Sequence, residues 1–137
     1  MDTTNDRPTT TTTATQRWLN AIAGGAGMPD DLFAEDVVFD ATVPNWRYET
    51  TGRAAVTSEL AQWYRHPTTV ERRQERTIDG GVAIELDLSW EDGGVPHAAH
   101  QLHLLSIEDG RITRDVAFCG GRWHADLIAD MEAARAR

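Results

Sequence analysis

The sequence predicts an α+β domain. A curved antiparallel sheet, shaped as a cone-like barrel, wraps around N-terminal helices and is followed by a C-terminal helix. Three observations predict it. Apolar residues at helical spacing come early, period-two alternation comes late, and tight turns join the late strands with no helix between them. A parallel βαβ arrangement would need a crossover helix after each strand.

The elements are read in chain order. Residues Ala14 to Ala23 read as a helix, because Trp18, Leu19 and Ile22 share a face and Gly24-Gly25 stops it. Pro29-Asp30-Asp31 opens a short second helix carrying Leu32 and Phe33, with acidic residues favourable at its start. Val37 to Val43 is β-branched and apolar, hence a strand, and Pro44-Asn45 breaks or bends it before Trp46 to Tyr48. Val56, Leu60 and Trp63 repeat at helical spacing within a third helix over Arg53 to Arg65, which His66-Pro67 ends. Four strands come next: Thr69 to Ile78, Val82 to Glu91, His97 to Ile107 and Arg111 to Cys119. Gly-containing turns separate them. A last helix runs from Trp123 to Ala134.

A chain of 137 residues holds one core. The Thr-rich stretch from Met1 to Thr13 offers nothing to bury after Met1, so it reads as a disordered tail before a single domain over 14–137. It lacks the basic start and apolar run of a signal peptide, and no segment approaches the ~20 apolar residues of a membrane span. The net charge of −9, without a basic stripe, argues against nucleic acid as a partner. One cysteine, Cys119, excludes an intrachain disulfide and fits a reducing cytoplasm. Five tryptophans are many for this length; they fill a core or wall a cavity.

Four stretches carry a resemblance. Gln16-Arg17-Trp18 resembles the first helix, and Leu32-Phe33-Ala34-Glu35-Asp36-Val37-Val38-Phe39-Asp40 the entry to the first strand, of the nuclear-transport-factor-2-like superfamily. Thr51-Gly52-Arg53-Ala54-Ala55-Val56 is similar to the start of its third helix, and Asp109-Gly110-Arg111-Ile112 to the turn before its last strand. Ketosteroid isomerases, SnoaL-like polyketide cyclases and limonene-epoxide hydrolases are among its members. The resemblance implies the fold more than an activity.

Asp40 closes an apolar strand whose neighbours exclude water, an environment that raises a carboxyl pKa toward that of a general base. The resemblance places a general base at this position. It also places a donor to a developing oxyanion at His103 and a phenolic donor at Trp18, where an indole stands instead. Asp115, Ala117 and Cys119 mark one face of the last strand, and Ile112, Val116 and Phe118 the other. If the first lines the cavity, Asp115 is a second acid. Trp18, Trp46, Trp63, Tyr64, Trp90 and Cys119 are the expected pocket residues. His97, His100 and His103 form no metal set: His100 points opposite to the others, and 97 and 103 lie about 20 Å apart along a strand.

The expected activity is cofactor-independent isomerisation or cyclisation of a small apolar, carbonyl-bearing compound by acid–base catalysis. Epoxide opening by water, and non-catalytic binding or assembly, are the alternatives. Apolar residues on both sheet faces, among them Leu102, Leu104, Val116 and Phe118, predict a homodimer through the sheet.

Overall fold

A computed structural model describes residues 10–136. Helix α1 spans Thr10–Gly24, and a 3-10 turn at Asp30–Leu32 leads into β1 (Phe33–Val43) and β2 (Trp46–Thr51). Helix α2 (Arg53–Trp63) comes next. The meander comprises β3 (Thr69–Ile78), β4 (Gly81–Asp92), β5 (Val95–Glu108) and β6 (Arg111–Cys119). A two-residue strand β7 (Trp123–His124) and helix α3 (Ala125–Arg135) complete it.

The strands lie in the order β2-β1-β6-β5-β4-β3, with β7 on the far end of β5. All pairings are antiparallel except β1 with β6. The α+β cone expected from the sequence is present, with one pairing beyond its antiparallel pattern: β6 ends the meander running in the direction of β1 and seals its free side, so the sheet is mixed. It is also an open sheet with β2 and β3 at its edges, not a closed barrel. Register shifts in β1–β6, β3–β4 and β5–β6 bend it.

Helices α1 and α2 fill the concave face. Trp18 and Ile22, one turn apart on α1, are fully buried, as are Val56 and Leu60 on α2. They meet Phe39, Ala41, Ile84, Leu86, Leu105 and Ala117, which strand alternation points inward. Helix α3 has no buried residue.

The expected tail boundary moves. Positions 1–9 lie outside the described residues, but Thr10 to Thr13 form the first turn of α1, where Thr15 Oγ1 donates to the Thr11 carbonyl at 2.8 Å. Phe33 belongs to β1 and not to the preceding turn, because it pairs with Ile112. Beyond Pro44-Asn45 the chain forms a separate strand, hairpinned onto β1. Ile112 also changes face. The β5–β6 register jumps from Ser106–Arg114 to Ile107–Ile112, so Thr113 is the extra residue, and Ile112 turns into the core.

Two glycines are fixed by close approach. Gly25 (φ 66°) ends α1, where a Cβ would stand 2.4 Å from the backbone of His66 and Pro67. At Gly81 a Cβ would meet the Leu105 carbonyl oxygen at 1.8 Å. Gly24, by contrast, has nothing within 4 Å of that position. Gly81→Ala therefore lowers stability by about 3 kcal/mol, because the β4–β5 pairing must open to admit a methyl group. Gly24→Ala leaves stability within about 0.5 kcal/mol of wild type or raises it. Urea denaturation of the two variants checks this; equal effects would mean that the β4–β5 contact is slack.

Candidate active site

The polar residues of the concave face come from alternate positions of two paired strands. Gln101, His103 and Leu105 share the inner face of β5; Asp115, Ala117 and Cys119 share that of β6. His103 lies opposite Ala117, so Asp115 is its diagonal neighbour. The result is a direct contact, His103 Nδ1 to Asp115 Oδ1 at 2.8 Å, with neither side chain exposed. The second oxygen of Asp115, Oδ2, is buried with no hydrogen-bond partner among the described residues. Trp18 packs edge-on against the His103 ring, centroids 4.7 Å apart.

On its other side His103 meets a polar cluster. Tyr64 donates to Gln101 Oε1 at 2.7 Å, His103 Nε2 lies 2.9 Å from the same oxygen, and Tyr64 Oη and His103 Nε2 are 3.1 Å apart. Gln101 directs its Nε2 toward Cys119 Sγ at 3.7 Å. With the amide so oriented, the 2.9 Å contact is a hydrogen bond only when His103 Nε2 carries a hydrogen; otherwise two lone pairs face each other. Two donors thus converge on one carbonyl oxygen. The 2.8 Å contact between Nδ1 and the Asp115 carboxyl is a hydrogen bond when one hydrogen lies between the two atoms. Burial pushes the Tyr64 hydroxyl well above its ordinary pKa, which keeps it a donor.

Above this cluster opens a cavity of about 410 Å³, within the range of small-molecule pockets. Val43, Pro44 and Trp63 wall it, Gln101 and Cys119 lie at its inner end, and Gln62, Arg65, Gly121 and Arg122 complete it. Trp63 is braced by donating to Tyr48 Oη at 2.8 Å and by an edge contact with Phe39.

The structure brings together His103, Asp115, Tyr64, Trp63 and Cys119 at or below this cavity. Trp18, expected to wall the pocket, is instead fully buried in the core, where it supports His103 from behind and does not line the cavity. Trp90 lines a smaller neighbouring space with Tyr64 and Gln101 and stacks on His97. Two further expectations are corrected. Trp46 is 67 % exposed at the start of β2 and does not line the cavity. Asp40 points away from it: Phe39 and Ala41 take the inner positions of β1, so the residue between them faces outward. Its carboxylate is held by Arg47 through Nε at 2.8 Å and Nη2 at 2.6 Å, with Arg114 at 3.5 Å. The Arg47 hydrogen bonds hold the Asp40 carboxyl below its usual pKa despite burial, the opposite of what a base near neutrality needs.

Sequence reasoning missed Gln101, Arg65 and Arg122. Gln101 was findable, since it lies two residues from His103 on a strand and so shares its face. The arginines carry no local signal; the end of α2 and the segment after β6 meet only in three dimensions.

No protein-family profile matches the chain, and no curated protein matches it in sequence. Solved structures do match. An NTF2-like protein of unknown function from Mesorhizobium loti is 18% identical, with a TM-score of 0.60 over 88% of this chain and 96% of that one. A candidate ketosteroid isomerase from Kribbella flavida is 21% identical, with a TM-score of 0.56 over 82% and 78%. An LEH-like epoxide hydrolase from M. tuberculosis is 15% identical, with a TM-score of 0.60 over 80% and 82%.

Asp40 gives a pH-dependent prediction. Its folded pKa is lowered, so its contribution is complete above the ordinary value of 3.8 and is lost as pH falls through the folded value. Asp40→Asn, with a largely exposed Arg47 as the lost partner, lowers stability by about 1 kcal/mol at neutral pH. The gap to wild type holds from neutral pH down to about pH 5 and narrows below about pH 4. Denaturation curves across that range check it; a gap that widens with acid contradicts the assigned pairing. The geometry and these likenesses lead to one conclusion: the chain has the NTF2-like fold.

Proposed function

We propose that this protein binds a small, largely apolar carbonyl compound in the cavity and activates it as a cyclase or isomerase, with His103 and Tyr64 as the two donors. The observation that carries the reading is the convergence of Tyr64 Oη and His103 Nε2 on Gln101 Oε1 at the inner end of the cavity. A substrate carbonyl that displaces the Gln101 amide meets both donors, where negative charge develops as the carbonyl is attacked or enolised. Asp115 fixes the ring and stabilises the imidazolium form as protons move. None of the described residues lining the cavity is a carboxylate, so the reaction that fits best has a substrate whose own carbon is acidic, as in aldol closure of a β-dicarbonyl compound: the carbon's proton passes to solvent water, the new C–C bond forms, and the carbonyl oxygen takes a proton from His103, which regains one from water. Epoxide opening by water fits less well, since Asp40 is turned outward and only Asp115 remains on the inner face.

A second reading is a non-catalytic binder. It is favoured by His103, which has no exposed surface and reaches the cavity only when Gln101 moves. β-Dicarbonyl compounds selected by thermal shift supply the assay, because a ligand of the folded state raises its melting temperature. His103→Gln and Tyr64→Phe each lower turnover by about 10²–10³-fold, with affinity changed far less. Wild-type turnover in His103→Gln would leave the binder.

The proposal includes a homodimer through the outer sheet face. Leu102 pairs with Phe118 and Leu104 with Val116 across β5–β6, and Leu102 and Phe118 remain 38 % and 44 % exposed. Charged groups flank this stripe on both sides: Asp40, Arg47, Glu49 and Arg114 on one, Arg72, Glu85, Asp87 and His100 on the other. An exposed apolar stripe of this kind is what an isologous contact with a second copy, related by half a turn, would bury. Sedimentation is expected to give a dimer at micromolar concentration and a monomer for Phe118→Glu; a wild-type monomer contradicts the proposal.

A further inference from the structure

The charge at the cavity is opposite to that of the protein. The chain carries a net −9, yet the charged residues lining the cavity are two arginines, Arg65 and Arg122. Neither makes an ion pair among the described residues. Arg122 is nonetheless anchored. It donates through Nη2 to the Trp63 carbonyl, and its guanidinium lies over the Trp90 ring, 5.3 Å from the centroid. One nitrogen is thereby used, and a guanidinium has five N–H donors. Partial burial, and next the charge of Arg65, hold its pKa below the ordinary guanidinium value, although the residue as a whole stays exposed; Cys119, Tyr64 and Asp92 act in the other direction. Asp92 is shared, standing 3.6 Å from His66 Nε2.

Two like charges brought to one apolar cavity repel each other in the empty protein. An anion seated between them removes that repulsion, and a planar carboxylate matches a guanidinium fork. Val43, Pro44 and Trp63 leave the remaining wall apolar. We infer that the cavity takes an organic acid, with its carboxylate held by Arg122 and Arg65 at the solvent side, its apolar body against Val43, Pro44 and Trp63, and its far end at Gln101. This rests on the cavity being the ligand site proposed above. It adds a polarity to that site: the acid end faces out, and the reacting carbonyl faces the two donors.

The test is titration calorimetry at low salt with matched pairs: benzoate and benzamide, phenylacetate and phenylacetamide, 2-naphthoate and 2-naphthamide, with phenyl phosphate alongside. The best acid is expected to bind about tenfold or more tighter than its amide, as for a charge-assisted hydrogen bond. Added salt removes most of the difference. Arg122→Gln and Arg65→Gln each remove most of it too, while Arg135→Gln, the same charge change on exposed α3, does not. Acid and amide binding equally well would overturn the inference and leave the ligand site standing. An unchanged preference in both arginine variants would also overturn it, as would tighter binding of phenyl phosphate than of any acid. If neither acids nor amides bind at millimolar concentration, this inference and the site itself both fall. Turnover in His103→Gln is read separately, so failure of the donor pair leaves the affinity result intact.

Discussion

A buried carboxylate on the inner face of a sheet must be answered by a partner, and in this protein the partner is His103. Asp115 sits among apolar side chains with no exposure, a position in which an unpaired charge costs several kcal/mol. The 2.8 Å contact to His103 answers that cost and fixes the imidazole. Once the ring is fixed, its other nitrogen can point only at Gln101, and Tyr64 at the end of α2 joins the same oxygen. The helix end, the ring and the inner end of the cavity are therefore held by one chain of polar contacts. The Trp18 indole nitrogen and Asp115 Oδ2, both buried and without partners among the described residues, add a cost that the apolar packing of α1 offsets.

The two sheet faces divide the work. The inner face buries the core and the His103 cluster; the outer face carries an apolar stripe between two fields of paired charges. Asp40 belongs to that outer field. Its link to Arg47 and Arg114 ties β1 to both of its sheet neighbours, β2 and β6, and so strengthens the one parallel junction.

Much of the architecture was legible because it is local. Turn residues such as Asp79-Gly80 and Glu108-Asp109-Gly110, and the alternation of Ile84, Leu86 and Leu88, marked out the meander; alternation also groups Asp115 with Ala117 and Cys119 on one face of the last strand, but it leaves open which face is the inner one, and His103 is singled out by resemblance alone. What failed was non-local. The face of Asp40 depends on which side of β1 the core lies, and that is set by Phe39 and Ala41 packing under α2. Apolar neighbours in sequence suggested a dry, raised carboxyl, whereas Arg47, seven residues on, is brought beside it by the hairpin. Thr113, the extra residue in the β5–β6 register, reverses Ile112, and a simple alternation count cannot see it. Trp46 shows the limit of composition: a tryptophan beside a turn is exposed however well its type suits a pocket.

The proposed function requires that His103 present a hydrogen from Nε2 toward the inner end of the cavity while Asp115 holds Nδ1. Nitrogen-15 NMR of histidine-labelled protein near neutral pH tests it most directly. The Nε2 resonance of His103, identified by its loss in His103→Gln, is expected to be of the protonated type and to couple to a hydrogen slow to exchange with water. A bare Nε2 of the unprotonated type, with the only ring hydrogen on Nδ1, would contradict it: His103 would then accept from Tyr64 and offer a ligand carbonyl nothing.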